Sequence, residues 1–113
     1  MKQYCLALDL VNDPVLIQEY ETYHKRIWPE IAKSIRDSGI INMRIYRVSN
    51  RLTMIIQASE EFSFEKKNES DKGNTKVQQW EQLMWKYQSA LPGSNPSEKW
   101  RLMDCIFDLD LNG

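Results

Sequence analysis

The chain carries a single histidine, His24, in the stretch Glu19-Tyr20-Glu21-Thr22-Tyr23-His24-Lys25-Arg26-Ile27-Trp28-Pro29-Glu30. Tyr20, His24 and Trp28 recur every four residues, so a helix through this stretch stacks them on one face. An imidazole takes and releases a proton near neutral pH. The flanking rings offer apolar faces, and the phenol adds a polar tip. Together they have the makings of a small-molecule site that moves protons. The competing reading is structural: a lone histidine on a partly apolar helix face more often serves packing than catalysis. A second aromatic stretch, Thr75-Lys76-Val77-Gln78-Gln79-Trp80-Glu81-Gln82-Leu83-Met84-Trp85, puts Trp80 and Met84 on one face. Core filling is the ordinary role of such a tryptophan. Four tryptophans and five tyrosines in 113 residues nevertheless make the chain rich in rings that suit the C–H face and polar rim of a sugar.

The elements that must position these residues follow from periodicity. Residues 3–10 alternate, with Tyr4, Leu6, Leu8 and Leu10 on one side, which predicts a strand. Asp13-Pro14 is a helix start, with the carboxylate as cap and proline at the first position. Leu16, Tyr20, Tyr23, Ile27, Ile31 and Ile35 form the buried stripe. Pro29 removes a hydrogen bond and drives Trp28 toward extended geometry, so a kink or break is expected there, followed by a short helix ending at Ser38-Gly39.

Residues 40–48 and 52–58 predict a hairpin about Ser49-Asn50-Arg51, with Ile41, Met43 and Ile45 on one face of its first strand. Residues 59–74 are polar and predict at most a helical turn through Phe62 and Phe64, then a solvated loop. Val77, Trp80, Met84, Tyr87 and Leu91 mark a helix that ends before Pro92-Gly93-Ser94-Asn95-Pro96. Residues 99–109 predict the last strand. The order β-α-β-β-α-β defines an α+β, ferredoxin-like class: an antiparallel sheet with helices on one face. The other face is expected to be apolar, and so to hold a ligand or a second subunit.

Composition narrows the partners. A length of 113 residues means one domain, 1–113. Fifteen basic and sixteen acidic residues leave a formal charge of -1, which gives no electrostatic case for nucleic acid or an anionic membrane and favours a small neutral ligand. No apolar run approaches the ~20 residues of a membrane helix, and the N-terminal stretch lacks a secretion-signal core, so the cytoplasm is the expected compartment. Cys5 and Cys105 are expected as reduced, buried small residues. With one histidine far from either, they form no zinc pattern, and the four glycines form no phosphate loop.

The block Tyr20-x-x-x-His24-x-x-x-Trp28-Pro29-Glu30, followed by Gly39 before a strand with Tyr46, Gln79-Trp80 opening the second main helix, and a C-terminal strand, resembles the L-rhamnose mutarotase family over nearly the whole chain. The resemblance implies a homodimer of ferredoxin-like subunits, a dimeric αβ-barrel with sheets face to face. It also implies a sugar anomerase that needs no cofactor and no metal. It maps the catalytic histidine onto His24 and a substrate-binding tyrosine onto Tyr20. A second aromatic substrate contact falls at Met43, and the family's Trp-Trp pair falls at Trp80-Glu81. Met43 and Glu81 depart from the pattern. A changed set of buried polar partners changes which hydroxyls are satisfied, so the expected substrate is a 6-deoxy-L-hexose, with L-fucose a rival to L-rhamnose.

Mutarotation requires one acid and one base. His24 is assigned as the proton donor and acceptor, Tyr20 as orienting group or proton relay, and Trp80 as stacking surface. Three roles stay open for Glu81: hydroxyl acceptor, second acid/base group, or solvent-facing helix residue. Trp28 is read as packing that holds the kink. Two rival functions share the architecture: a dimeric αβ-barrel monooxygenase or haem-degrading protein, and a non-catalytic sugar-binding or regulatory module.

Overall fold

The computed structural model describes residues 1–95 and 98–112. Strand β1 (Lys2–Leu10) is followed by helices α1 (Pro14–Lys25) and α2 (Pro29–Asp37), the hairpin β2 (Ile40–Val48) and β3 (Arg51–Ala58), and helices α3 (Phe64–Lys72) and α4 (Thr75–Trp85). Short strands β4 (Gln88–Ser89) and β5 (Arg101–Leu102) precede a terminal turn of helix, α5 (Leu109–Asn112). The sheet order is β2-β3-β1-β4, with β5 also on β1, and every pairing is antiparallel. This is the ferredoxin-like α+β arrangement.

Asp13 caps α1 by accepting from the Val15 and Leu16 amides at 2.9 and 3.2 Å, with Pro14 in the first turn. The predicted break before Pro29 is present. Trp28 takes φ -59° and ψ 137°, the extended geometry forced on a residue before proline, and α2 starts afresh. Gly39 ends that helix at φ +98°. A Cβ there would lie 2.8 Å from Ser59 Oγ, so conformation and space both require glycine.

Leu6, Leu8 and Leu10 of β1 and Leu52, Met54 and Ile56 of β3 pack beneath the helices. Tyr20, Ile31, Val77, Trp80, Met84 and Tyr87 close the main core over them. Met43 and Ile45 face this core. A bulge between Ile40 and Asn42 breaks the expected alternation, burying Ile40 and leaving Ile41 exposed.

Further expectations are corrected. Residues 64–72 are a helix rather than a solvated loop. Ser63 caps it through the Lys66 amide, and the buried Asp71 pins it by pairing with Lys67 at 2.7 Å and accepting from Ser34 Oγ at 3.4 Å. Helix α4 stops at Trp85, because Tyr87 and Gln88 turn down into the core and Gln88 pairs with β1. Leu91 is therefore not helical; the Pro96 end of the predicted break lies outside the described residues. The last strand is two residues long; Met103 still donates its amide to the Cys5 carbonyl at 2.7 Å, and residues 103–108 belong to no strand or helix. Cys105 is an exposed thiol rather than a buried one, while Cys5 is half-buried.

The open sheet face is mixed rather than apolar. It carries Cys5, Ala7, Thr53 and Ile55 together with Arg44 and an Asp9–Arg51 ion pair of 2.8 Å.

Candidate active site

His24 sits in the last turn of α1, one turn beyond the buried Tyr20. Its ring lies 4.3 Å from the Tyr20 ring and 5.6 Å from Trp80, centroid to centroid. Trp80 is itself edge-on to Trp28 at 5.1 Å and to Tyr23 at 6.2 Å. The break before Pro29 is what allows this. It swings Trp28 off the line of α1 and onto Trp80, so α1, the break and α4 each contribute to one aromatic layer.

His24 Nδ1 lies 2.8 Å from the Tyr20 carbonyl oxygen, which can only accept. The neutral ring therefore carries its proton on Nδ1 and keeps a lone pair on Nε2. Burial pushes the imidazole below its usual pKa of 6.5, and the bond to the Tyr20 carbonyl partly opposes this. At neutral pH His24 is thus an unprotonated base with a fixed tautomer.

Burial raises the Tyr20 phenol, and a hydrogen bond with the Gln88 side chain partly offsets the rise. Tyr20 accordingly stays a proton donor. Gln88 is buried, and its Oε1 has no partner. Nothing in the sequence around Gln88 marked it, since its proximity to Tyr20 depends on the chain turning at Tyr87.

Beside His24 lies a cavity of about 420 Å³, within the range of small-molecule sites. Ile27, Ile35, Met43 and Ile45 give it apolar walls, and Asn42 and Arg36 give it polar edges. A groove of about 460 Å³ along the outer face of α1, from Val15 to Arg26, contains no imidazole. The His24 cavity is therefore the stronger candidate.

Of the five residues singled out in the sequence, His24 and Met43 line this cavity. Tyr20 and Trp80 form the aromatic layer that packs against His24. Glu81 is not brought to His24. It lies beside Lys99, whose ammonium donates to the Glu81 carbonyl at 3.2 Å and sits 4.2 Å from the Trp85 ring centroid. Burial lowers the Lys99 pKa, and the Glu81 charge works against that. Asn42 is a cavity residue the sequence did not single out. Alternation sets it on the face opposite Met43, and the bulge that changes this is seen only in the structure. Among the described residues no group of His, Cys, Asp and Glu side chains is placed to hold a metal ion. No helix among them is long and apolar enough to cross a membrane.

His24 also makes stability depend on pH. Its folded pKa lies below its unfolded value of about 6.5, so the unfolded chain binds the extra proton first. Stability is then fully retained above 6.5 and declines as pH falls from there toward the folded pKa. Denaturant midpoints measured across this window should show that slope in the parent chain and a flatter line in His24→Ala, since the chain has no other histidine.

An antiparallel sheet with its helices on one face, and a single tautomer-fixed histidine against an aromatic layer, define a ferredoxin-like protein equipped for proton transfer on a small ligand. The sequence profile of the L-rhamnose mutarotase family matches residues 3–109, and the chain belongs to that family. It is a carbohydrate isomerase that interconverts sugar anomers. An L-fucose mutarotase of Xanthomonas campestris pv. campestris is 41% identical over 111 residues, covering 96% of this chain and 89% of that protein. An L-rhamnose mutarotase of Phocaeicola vulgatus is 31% identical over 90 residues, covering 80% and 81%. The crystal structure of an L-rhamnose mutarotase from Formosa agariphila superposes with a TM-score of 0.71 at 18% identity, covering 96% of this chain and 99% of that one, a likeness of fold.

Proposed function

We propose that the chain opens and recloses the ring of a 6-deoxy-L-hexose, with L-fucose or L-rhamnose as substrate, using His24 as the proton-transfer group. The observation that carries this is the committed Nδ1 of His24 on a ring that lines the cavity. Nε2 takes the proton of the anomeric hydroxyl. The electrons left behind form the C1 carbonyl, the bond from C1 to the ring oxygen breaks, and that oxygen receives a proton from the imidazolium Nε2–H, which returns His24 to its neutral form. Rotation about the C1–C2 bond presents the other carbonyl face, and the steps reverse. Protons and electrons balance without an external reactant.

Tyr20 and Trp80, expected from the sequence to bind the sugar, are buried behind His24 and act by holding the imidazole. Met43, a departure from the family's pattern that lines the cavity, selects among sugars. The relative at 41% identity is named for L-fucose, which favours that sugar, while the family profile and the relative at 31% identity carry the L-rhamnose name. Saturation-transfer NMR of anomeric protons over L-fucose, L-rhamnose and D-sugars tests the assignment. Exchange confined to the 6-deoxy-L-hexoses is expected, and equal acceleration of every sugar would contradict it. Met43→Tyr is expected to move the ratio of rates between L-fucose and L-rhamnose, and an unchanged ratio would remove Met43 from substrate choice. The reading includes a homodimer and a reducing, cytoplasmic setting, the latter supported by two free thiols, one of them exposed.

A further inference from the structure

The lining of the His24 cavity carries charge of one sign only. Lys25 and Arg36 belong to it, and none of its other residues is a carboxylate. The whole chain has a formal charge of -1, so this is a local concentration of cations. The acids nearest them along the helices, Glu21 one turn before Lys25 and Asp37 beside Arg36, pair instead with Arg47 and Lys33. Neither Lys25 nor Arg36 is in an ion pair among the described residues. Both are exposed, which puts them at the cavity's mouth. Lys25 stands in the last turn of α1 and Arg36 in the last turn of α2. A cation there complements the carbonyl end of its helix, equivalent to about half a negative charge. Two such ends offset about one of the two positive charges, and about one is left to meet a ligand.

The position of this charge says where a ligand would carry its own. Ile27, Ile35, Met43 and Ile45 make apolar walls that suit the C6 methyl of a 6-deoxyhexose and give nothing to an anion at C6. The proposed mechanism brings the anomeric centre to His24, and Lys25 is the next residue. Negative charge on the anomeric oxygen is therefore the charge that the cations can meet. A phosphate monoester supplies about one and a half to two negative charges at neutral pH and three acceptor oxygens. Lysine and arginine both suit that group, one as a compact charge and the other as a planar fork. Esterified at C1, the sugar has no anomeric hydroxyl for Nε2 to deprotonate, so its ring stays closed.

We propose that Lys25 and Arg36 form an anion subsite at the mouth of the His24 cavity, which binds the 1-phosphate of a 6-deoxy-L-hexose as an unreactive competitor of the free sugar. Phosphoryl transfer onto the anomeric hydroxyl is the class of reaction that makes such a ligand. That reaction draws on one anomer of the sugar, so its product slows the step that replenishes the anomer. This inference rests on the reading of the cavity as the sugar site, and its test reads binding rather than turnover.

The ring resonances of His24, the one histidine of the chain, report occupancy of the cavity. NMR titrations at low salt compare L-fucose, L-rhamnose, the 1-phosphate of each, and inorganic phosphate. The ester of the sugar that binds is expected to bind about tenfold more tightly than that free sugar, the scale of two exposed ion pairs. It is also expected to bind more tightly than inorganic phosphate. The advantage over the free sugar should fade toward ~1 M salt, where the Debye length is about 3 Å. It should vanish in the double variant Lys25→Gln, Arg36→Gln; both positions are exposed, and circular dichroism checks the fold. A free sugar that moves the His24 resonances while its ester binds no more tightly overturns the anion subsite and leaves the sugar site standing. An ester advantage that survives in the double variant overturns the assignment to Lys25 and Arg36. Inorganic phosphate binding as tightly as the ester overturns the sugar ester as the ligand. His24 resonances unmoved by any of these compounds overturn both the subsite and the sugar reading of the cavity.

Discussion

His24→Ala is expected to lower catalysed anomer exchange by roughly 10²-fold or more, the scale of a lost acid/base group, while the chain remains folded. No other histidine can substitute for it. The side chain is half-buried and makes one hydrogen bond, to a helix carbonyl. Its removal therefore takes away edge contacts with Tyr20 and Trp80 rather than hollowing the core, and the stability cost should be about 1 kcal/mol, typical of a single substitution. Exchange NMR and denaturant unfolding on the same sample separate the two effects. If activity simply followed the folded fraction, His24 would be a packing residue.

Trp80→Ala should show the opposite balance. Trp80 is buried and touches His24, Tyr23 and Trp28 edge to face. Each such ring pair contributes beyond its buried area. Truncation leaves a void where α1, the Pro29 break and α4 converge, and large-to-small changes of a core tryptophan cost about 3–5 kcal/mol. Unfolding midpoints should fall accordingly. Exchange should fall too, even in the folded fraction, because the imidazole loses a wall that holds it. A variant as stable as the parent would show that the aromatic layer does not brace the site.

Much of this was legible in the sequence because local signals agree with the tertiary outcome. Asp13-Pro14, Trp28-Pro29 and Ser38-Gly39 each act through backbone geometry within a few residues, and the structure places a cap, a break and a left-handed glycine at those points. Alternation in residues 3–10 and 52–58 located two strands, since a one-sided core imposes period two. The failures share another cause. Residues 64–72 have no apolar stripe, and their helix depends on Asp71 reaching Lys67 and Ser34, a contact made with another element. The bulge that exposes Ile41 leaves no residue signature.

Residues 99–109 alternate as a strand should, yet only Arg101 and Leu102 pair in the sheet, because alternation does not say how much of a segment finds a neighbouring strand. At the site, the four-residue spacing of Tyr20 and His24 correctly stacked their rings. The distance from Trp80 to Glu81 in space could not be read in the same way. Adjacent helix positions point about 100° apart, and only the fold shows that one faces His24 while the other faces Lys99.

The central claim is that the lone pair on His24 Nε2 takes the anomeric proton. With one histidine in the chain, its ring resonances are unambiguous, so its pKa can be titrated by NMR and set beside the pH profile of anomer exchange catalysed by the same protein. The expected result is an acid limb in the rate whose midpoint coincides with the His24 titration, both below 6.5 because burial disfavours the imidazolium. A catalysed rate that stays level while His24 takes up its proton would contradict it.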